Sequence, residues 1–138
     1  MSFTNYAAQA ILNALVGKSS AFGSLSARPT LYVGLSTTAP SESGGNVTEP
    51  SGNGYARVQT SPSDWNSATL ADPSVVSNAN AIGFPSATGP WGNCTHFVIF
   101  DAAVAGSVIA SGQLVVQKSP TSGDTPTFEP GALVWELD

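Results

Sequence analysis

The chain has 138 residues, 41% hydrophobic and only 9% charged, with four Lys and Arg, nine Asp and Glu, one His, one Cys, 14 Gly and 10 Pro. That length suits a single domain with a sizeable core, and the charged share lies far below the roughly 25% of ordinary soluble domains, so Ser, Thr, Asn, Gly and Pro must form most of the surface. A net charge of −5, with Lys18, Arg28, Arg57 and Lys118 scattered along the chain, argues against nucleic acid as a partner, and the shortage of reactive side chains argues against an enzyme.

Residues 4–16 read as a helix, because Ala7, Ile11, Ala14 and Leu15 recur at three- and four-residue spacings. Ser2 or Thr4 is placed to cap its start and Gly17 to end it. The helix, within residues 1–17, is expected to lay that apolar stripe on a sheet. In residues 30–37, Leu31, Val33 and Leu35 alternate with Tyr32, Gly34 and Ser36, the period of a strand with one face inside. Residues 39–54 are rich in Pro, Ser, Glu, Gly and Asn and end in Asn53-Gly54, which makes a long surface loop and the first place to look for partner contact.

Strand signals return at residues 55–60, 75–84, 95–101, 107–116 and 132–137, each bounded by Gly, Pro, Asn or Ser. The run Thr95-His96-Phe97-Val98-Ile99-Phe100 is the most continuously apolar and suits a central strand covered on both faces. One all-β domain is expected over residues 1–138: a jelly-roll-like two-sheet sandwich over residues 30–138 with one N-terminal α-helix. Such a sandwich would bury its strands without leaving long edges open. No stretch approaches the roughly 20 apolar residues of a membrane span, and no basic segment followed by an apolar core marks a leader. A soluble intracellular product without a processed leader, and with no membrane partner, is the expectation.

The chemistry of the residues points the same way. A Ser-His-Asp arrangement would have to use His96, which sits inside an apolar strand, and no Gly-x-Ser-x-Gly elbow is present. Cys94, His96 and Asp101 lie close in sequence but read as a core pair with a neighbouring acid, not as a metal site. Gly17-Lys18-Ser19 is similar to the end of a phosphate-binding loop, yet the earlier Gly position holds Leu12 and the helix comes before the motif. Glu42, Glu49, Asp72, Asp124 and Glu129 lie in connections where carboxylates keep loops solvated. Trp91, between Pro90 and Gly92, reads as an interface anchor. No catalytic residue, cofactor or metal is expected.

Several short motifs in fixed order carry a family resemblance: Leu31-Tyr32-Val33-Gly34-Leu35-Ser36-Thr37-Thr38-Ala39-Pro40, Gly54-Tyr55-Ala56-Arg57-Val58, Asn80-Ala81-Ile82 with Phe84-Pro85, Trp91-Gly92 before His96-Phe97-Val98-Ile99-Phe100-Asp101, and Gly123-Asp124-Thr125-Pro126. In this succession the chain resembles a family of small virion proteins of tailed bacteriophages, and most of all the capsid cement, or decoration, proteins of short-tailed Bordetella phages. The resemblance implies a jelly roll that dimerises on the outer surface of the capsid. There it would bind the major capsid protein and reinforce the joints between its subunits, with no catalysis. The contacts expected on this reading are Tyr6, Ile11 and Leu15 on the helix, Glu42, Glu49 and Asn53 on the long loop, and Trp91. A tail or tail-fibre component is the alternative, and a carbohydrate-binding host-recognition module is a second one.

Overall fold

A computed structural model describes residues 4–21 and 29–137. Along them run helix α1 (Asn5–Val16), strands β1 (Tyr32–Ser36), β2 (Val58–Gln59), β3 (Ser74–Ser77), β4 (Ile82–Gly83), β5 (Cys94–Phe100), β6 (Val108–Lys118), β7 (Thr127–Phe128) and β8 (Val134–Leu137), with a short 3-10 turn at Pro62–Asp64. The strands form a four-stranded sheet in the order β2-β1-β5-β6 and two-stranded ladders β3-β8 and β4-β7. This is the all-β class, with several sheets and a single N-terminal helix among the described residues, and it is the element content of a sandwich. The chain gathers into two compact units, one drawn from Met1–Thr30, Ser61–Ile82 and Phe128–Asp138, the other from Leu31–Thr60 and Gly83–Thr127.

In the first unit the helix begins and ends where its sequence signals stand. Thr4 is the N-cap, its Oγ1 accepting the Ala7 N–H at 3.3 Å, and Gly17 closes the helix with φ 81°, where a residue without Cβ avoids strain. Ser2, the other capping candidate, and the cation Arg28 lie outside the described residues. The buried face differs from the expected stripe. It holds Ala8, Ala10, Leu12, Asn13, Ala14 and Val16, while Ala7, Ile11 and Leu15 are only half-buried. Two polar side chains fix this rotation: Asn13 Oδ1 accepts the Ala68 N–H at 2.7 Å and Gln9 Nε2 donates to the Ala68 carbonyl at 3.1 Å. A helix apolar on most sides presents whichever face meets its neighbours' unpaired backbone groups.

The helix packs on β3 and β8, which pair antiparallel with Val76 opposite Trp135, and the Trp135 ring stands edge-on to Trp65 at 5.9 Å. The single strand expected over residues 75–84 is broken at Asn78, which is fully buried. Its Nδ2 donates to the Asn80 and Glu129 carbonyls at 2.9 and 2.8 Å, and its Oδ1 accepts the Leu133 N–H at 2.9 Å. An Asn side chain that offers backbone groups a closer partner than the next strand ends the ladder there, and pairing restarts at Ile82.

In the second unit β1 and β5 are the central strands, paired antiparallel from Tyr32 opposite Phe100 to Ser36 opposite His96. Phe97, Val98, Ile99 and Phe100 are all buried, as the apolar run implied. β1 departs from the one-sided expectation, since Gly34 and Ser36 are buried along with Val33 and Leu35. The strand expected over residues 55–60 shrinks to two residues, Val58–Gln59. Among the described residues β6 pairs with β5 alone and stands at the edge of its sheet.

Asn78→Ala takes this partner from the Leu133 N–H and from the Asn80, Phe128 and Glu129 carbonyls and is expected to cost about 3 kcal/mol, whereas Asn66→Ala, at an exposed bond to Ser77, costs less than about 1 kcal/mol. Urea midpoints of the two variants check this. Asp64 gives an acid-sensitive contribution. Burial alone would raise its carboxyl, but hydrogen bonds from the Ser61 N–H, Asn80 and the Ser61 hydroxyl outweigh that and hold it below the ordinary 3.8. A depressed folded pKa stabilises above the unfolded value and loses that contribution as pH falls through the folded one. Wild type is therefore expected to be more stable than Asp64→Asn at about pH 6, and the gap to close in strong acid, as read by denaturation at each pH.

Candidate contact surface

The 39–54 loop leaves β1 with little regular structure, yet its Ser, Thr and Asn side chains fold it back on itself. The Thr37 N–H donates to the Thr48 carbonyl at 2.9 Å, Ser36 Oγ donates to the Thr38 carbonyl at 2.7 Å and accepts the Thr48 N–H at 3.0 Å, and Thr38 Oγ1 donates to the Asn46 carbonyl at 2.6 Å. Asn46 Nδ2 in turn reaches the Ala39 carbonyl at 2.8 Å. Short side chains that bond nearby backbone replace the absent ladder.

At the far side of the loop, Glu49 meets Arg57 in a fork. Arg57 Nε donates to Glu49 Oε1 at 2.9 Å and Nη2 to Oε2 at 2.7 Å, the two-point geometry that a planar guanidinium shares with a carboxylate. Nη1 donates to the Ala102 and Ala105 carbonyls at 2.7 and 2.8 Å, and the guanidinium carbon stacks 3.4 Å from the Phe100 ring centroid. The Tyr55 hydroxyl donates to Glu49 Oε1 at 2.7 Å and accepts the Leu35 N–H at 3.0 Å. Burial first, and then the bond to Glu49, push that hydroxyl far above its ordinary value, so it stays protonated. All this sits over Gly34, where a Cβ would come within 2.8 Å of Phe100 Cε2 and 2.9 Å of the Tyr55 oxygen. Only a residue without a side chain lets the assembly close on β1.

Tyr55 also joins an aromatic cluster, edge-on to Trp91 at 5.2 Å and stacked with Phe84 at 6.3 Å. Trp91 is 4% exposed and donates through Nε1 to the Asn53 carbonyl at 2.8 Å. Asn53 Nδ2 donates to the Pro90 carbonyl at 2.9 Å, so the loop tip is pinned to the 84–91 segment from both sides.

The expected contact residues fall into separate settings. Tyr6 is 56% exposed on the first unit, with Ile11 and Leu15 half-buried. Glu42 and Asn53 are exposed, although Asn53 is tied down. Glu49 is held in the fork with Arg57, and Trp91 is buried with its indole N–H bonded to Asn53. Sequence reasoning gave no role to Arg57, Tyr55, Gly34 or Phe100. The signal available was scarcity: in a chain with four cations, an Arg in a strand-flanking motif is reserved for a specific acid. Asp101 Oδ1 accepts the Ser107 N–H at 2.6 Å, His96 Nδ1 shares a hydrogen bond with Thr95 Oγ1 at 2.7 Å, and Cys94 is buried, which pushes its thiol pKa up. Each has a local partner or setting, and among the described residues no group of three or more His, Cys, Asp or Glu is arranged to hold a metal ion. What the arrangement does is hold a polar loop rigidly and present its Ser, Gly and Thr surface.

The family model described as podophage GP4 fiber I protein gp80 matches residues 2–136, nearly the whole chain. A search of curated proteins finds no match.

Arg57→Ala would leave the Glu49 carboxylate with the Tyr55 hydroxyl as its one remaining donor among these bonds, and would take the guanidinium donor from the Ala102 and Ala105 carbonyls. It is expected to cost about 3 kcal/mol and to speed proteolytic cleavage within residues 39–54 severalfold. Glu42→Ala, at an exposed position of the same loop, should leave both stability and cleavage unchanged.

Proposed function

Because the chain belongs to the podophage GP4 fiber I protein gp80 family, we propose that it is a structural component of the fibre apparatus of a short-tailed phage. The observation that carries this reading is the match of a fibre-protein family across residues 2–136. The family supports the phage virion protein expected from the motifs, and it favours a fibre part over capsid cement. On this reading the protein works by adhesion to neighbours and not by bond chemistry. Its most strongly bonded charged groups, Arg57 and Glu49, are spent on internal structure. Polar uncharged side chains cover the loop surface, and these make hydrogen bonds to a neighbour without the cost of stripping water from charges. The partners are then other virion proteins and further copies of the chain, with neither nucleic acid nor membrane involved. The major capsid protein becomes a partner only if the chain sits on the shell.

Copy number and position on purified particles test the proposal. Quantitative mass spectrometry is expected to give on the order of tens of copies per particle, with antibody label at the tail. Hundreds of copies spread over the shell would contradict it and return the cement reading.

A further inference from the structure

We propose that Asn53 is a site of spontaneous modification: its carboxamide latches the tip of the 39–54 loop, and conversion of that amide to an acid, through a cyclic imide formed with Gly54, releases the tip. The inference is independent of where in the virion the protein sits.

Asn53-Gly54 is the one Asn-Gly pair in the chain. An Asn followed by Gly is especially open to this reaction, because a residue without Cβ leaves its own backbone nitrogen unshielded. The fold requires that pair here. Gly52, Asn53 and Gly54 have φ of 69°, 51° and 80°, left-handed residues in succession, and Asn is among the few types other than Gly that adopt this region readily. At Gly54 a Cβ would come within 2.9 Å of the Ser86 carbonyl oxygen. The turn therefore selects a labile dipeptide and sets it at an exposed position.

The same residue is a structural latch. Asn53 Nδ2 donates to the Pro90 carbonyl at 2.9 Å, and the carboxamide packs on buried Gly89, where a Cβ would meet Cγ and Oδ1 at 2.8 Å. The Asn53 carbonyl accepts the Trp91 indole N–H at 2.8 Å and the Thr88 N–H at 2.9 Å. Side chain and main chain of one residue thus hold the loop tip to the segment from Thr88 to Trp91.

In the reaction the Gly54 nitrogen gives up its proton to base and attacks Asn53 Cγ. The Cγ–Nδ2 bond breaks, Nδ2 leaves as ammonia, and a cyclic imide closes. Water then opens the ring at either carbonyl, giving Asp or, with the main chain rerouted through the side chain, isoaspartate. Both products lose the Nδ2 donor. Asp sets a carboxylate against the Pro90 carbonyl, and isoaspartate turns the carbonyl used by Trp91 and Thr88 into a carboxylate outside the main chain. While the latch is closed, Pro90 and Gly89 hold the carboxamide from turning freely toward the Gly54 nitrogen, so conversion proceeds through opened states of the loop. Opening paces the chemistry, and the chemistry then favours opening, in one direction only because the ammonia is lost.

Peptide mass spectrometry of the full chain held in mildly alkaline buffer reads conversion at Asn53, and limited proteolysis within residues 39–54 reads release. Conversion is expected in the native protein, but at least about tenfold more slowly than in the urea-denatured chain. Gly89→Ala, whose Cβ displaces the carboxamide from Pro90, should speed native conversion severalfold with an unchanged circular dichroism spectrum. The converted protein, separated by its added negative charge, and Asn53→Asp should each be cut within the loop severalfold faster than the unconverted chain. No conversion in the native protein, equal rates in native and denatured chains, a Gly89→Ala rate equal to wild type, or converted protein cut no faster would each overturn the proposal.

Discussion

The second unit depends on one ion pair. Arg57 and Glu49 are mostly withdrawn from water, their side chains 8% and 23% exposed, in a chain that carries few charges anywhere. Withdrawing a guanidinium and a carboxylate costs several kcal/mol, and their attraction offsets this only when geometry is good and the remaining donors find partners. Here the fork is bidentate, the Ala102 and Ala105 carbonyls take Nη1, and the Phe100 ring lies under the guanidinium plane. The consequence is mechanical. One side chain at the entry to β2 fastens the 39–54 loop, the turn after β5 and the face of β1 to each other.

That arrangement bears on function through what it leaves available. Glu49 and Tyr55 are consumed in the clamp, Cys94 is a buried thiol, and Asp64 and Asp101 cap turns. The outward surface of the loop is left to Ser, Gly, Thr and one free-standing acid, Glu42. On the fibre-component reading proposed above, a domain organised this way would hold its shape under load and bind through surface fit.

Local signals were legible in the sequence and tertiary ones were not. Thr4 and Gly17 bound the helix because capping is decided within a turn, and the β5 run read as central because four consecutive apolar residues have no solvent face to spare. The helix's buried face was hidden, since Asn13 and Gln9 are aimed by Ala68, more than fifty residues away. Gly34 and Ser36 looked like solvent positions of an alternating strand, but Tyr55 and Glu49 fold back across Gly34, and Ser36 is bonded through its hydroxyl to Thr38 and Thr48 of the returning loop. Trp91 looked like an anchor beside Pro and Gly, but those residues instead shape the turn that tucks its ring against Tyr55. Glu49 read as a solvated loop acid because nothing local reveals that Arg57 will reach it.

The central claim is that the Glu49–Arg57 pair, and not the loop's own short hydrogen bonds, fastens the second unit together. A double-mutant cycle on unfolding free energy, using Glu49→Gln, Arg57→Met and the two combined, measures it most directly. The account predicts a coupling of about 2 kcal/mol or more between the two sites. A coupling below about 0.5 kcal/mol, with the two substitutions simply adding, would contradict it.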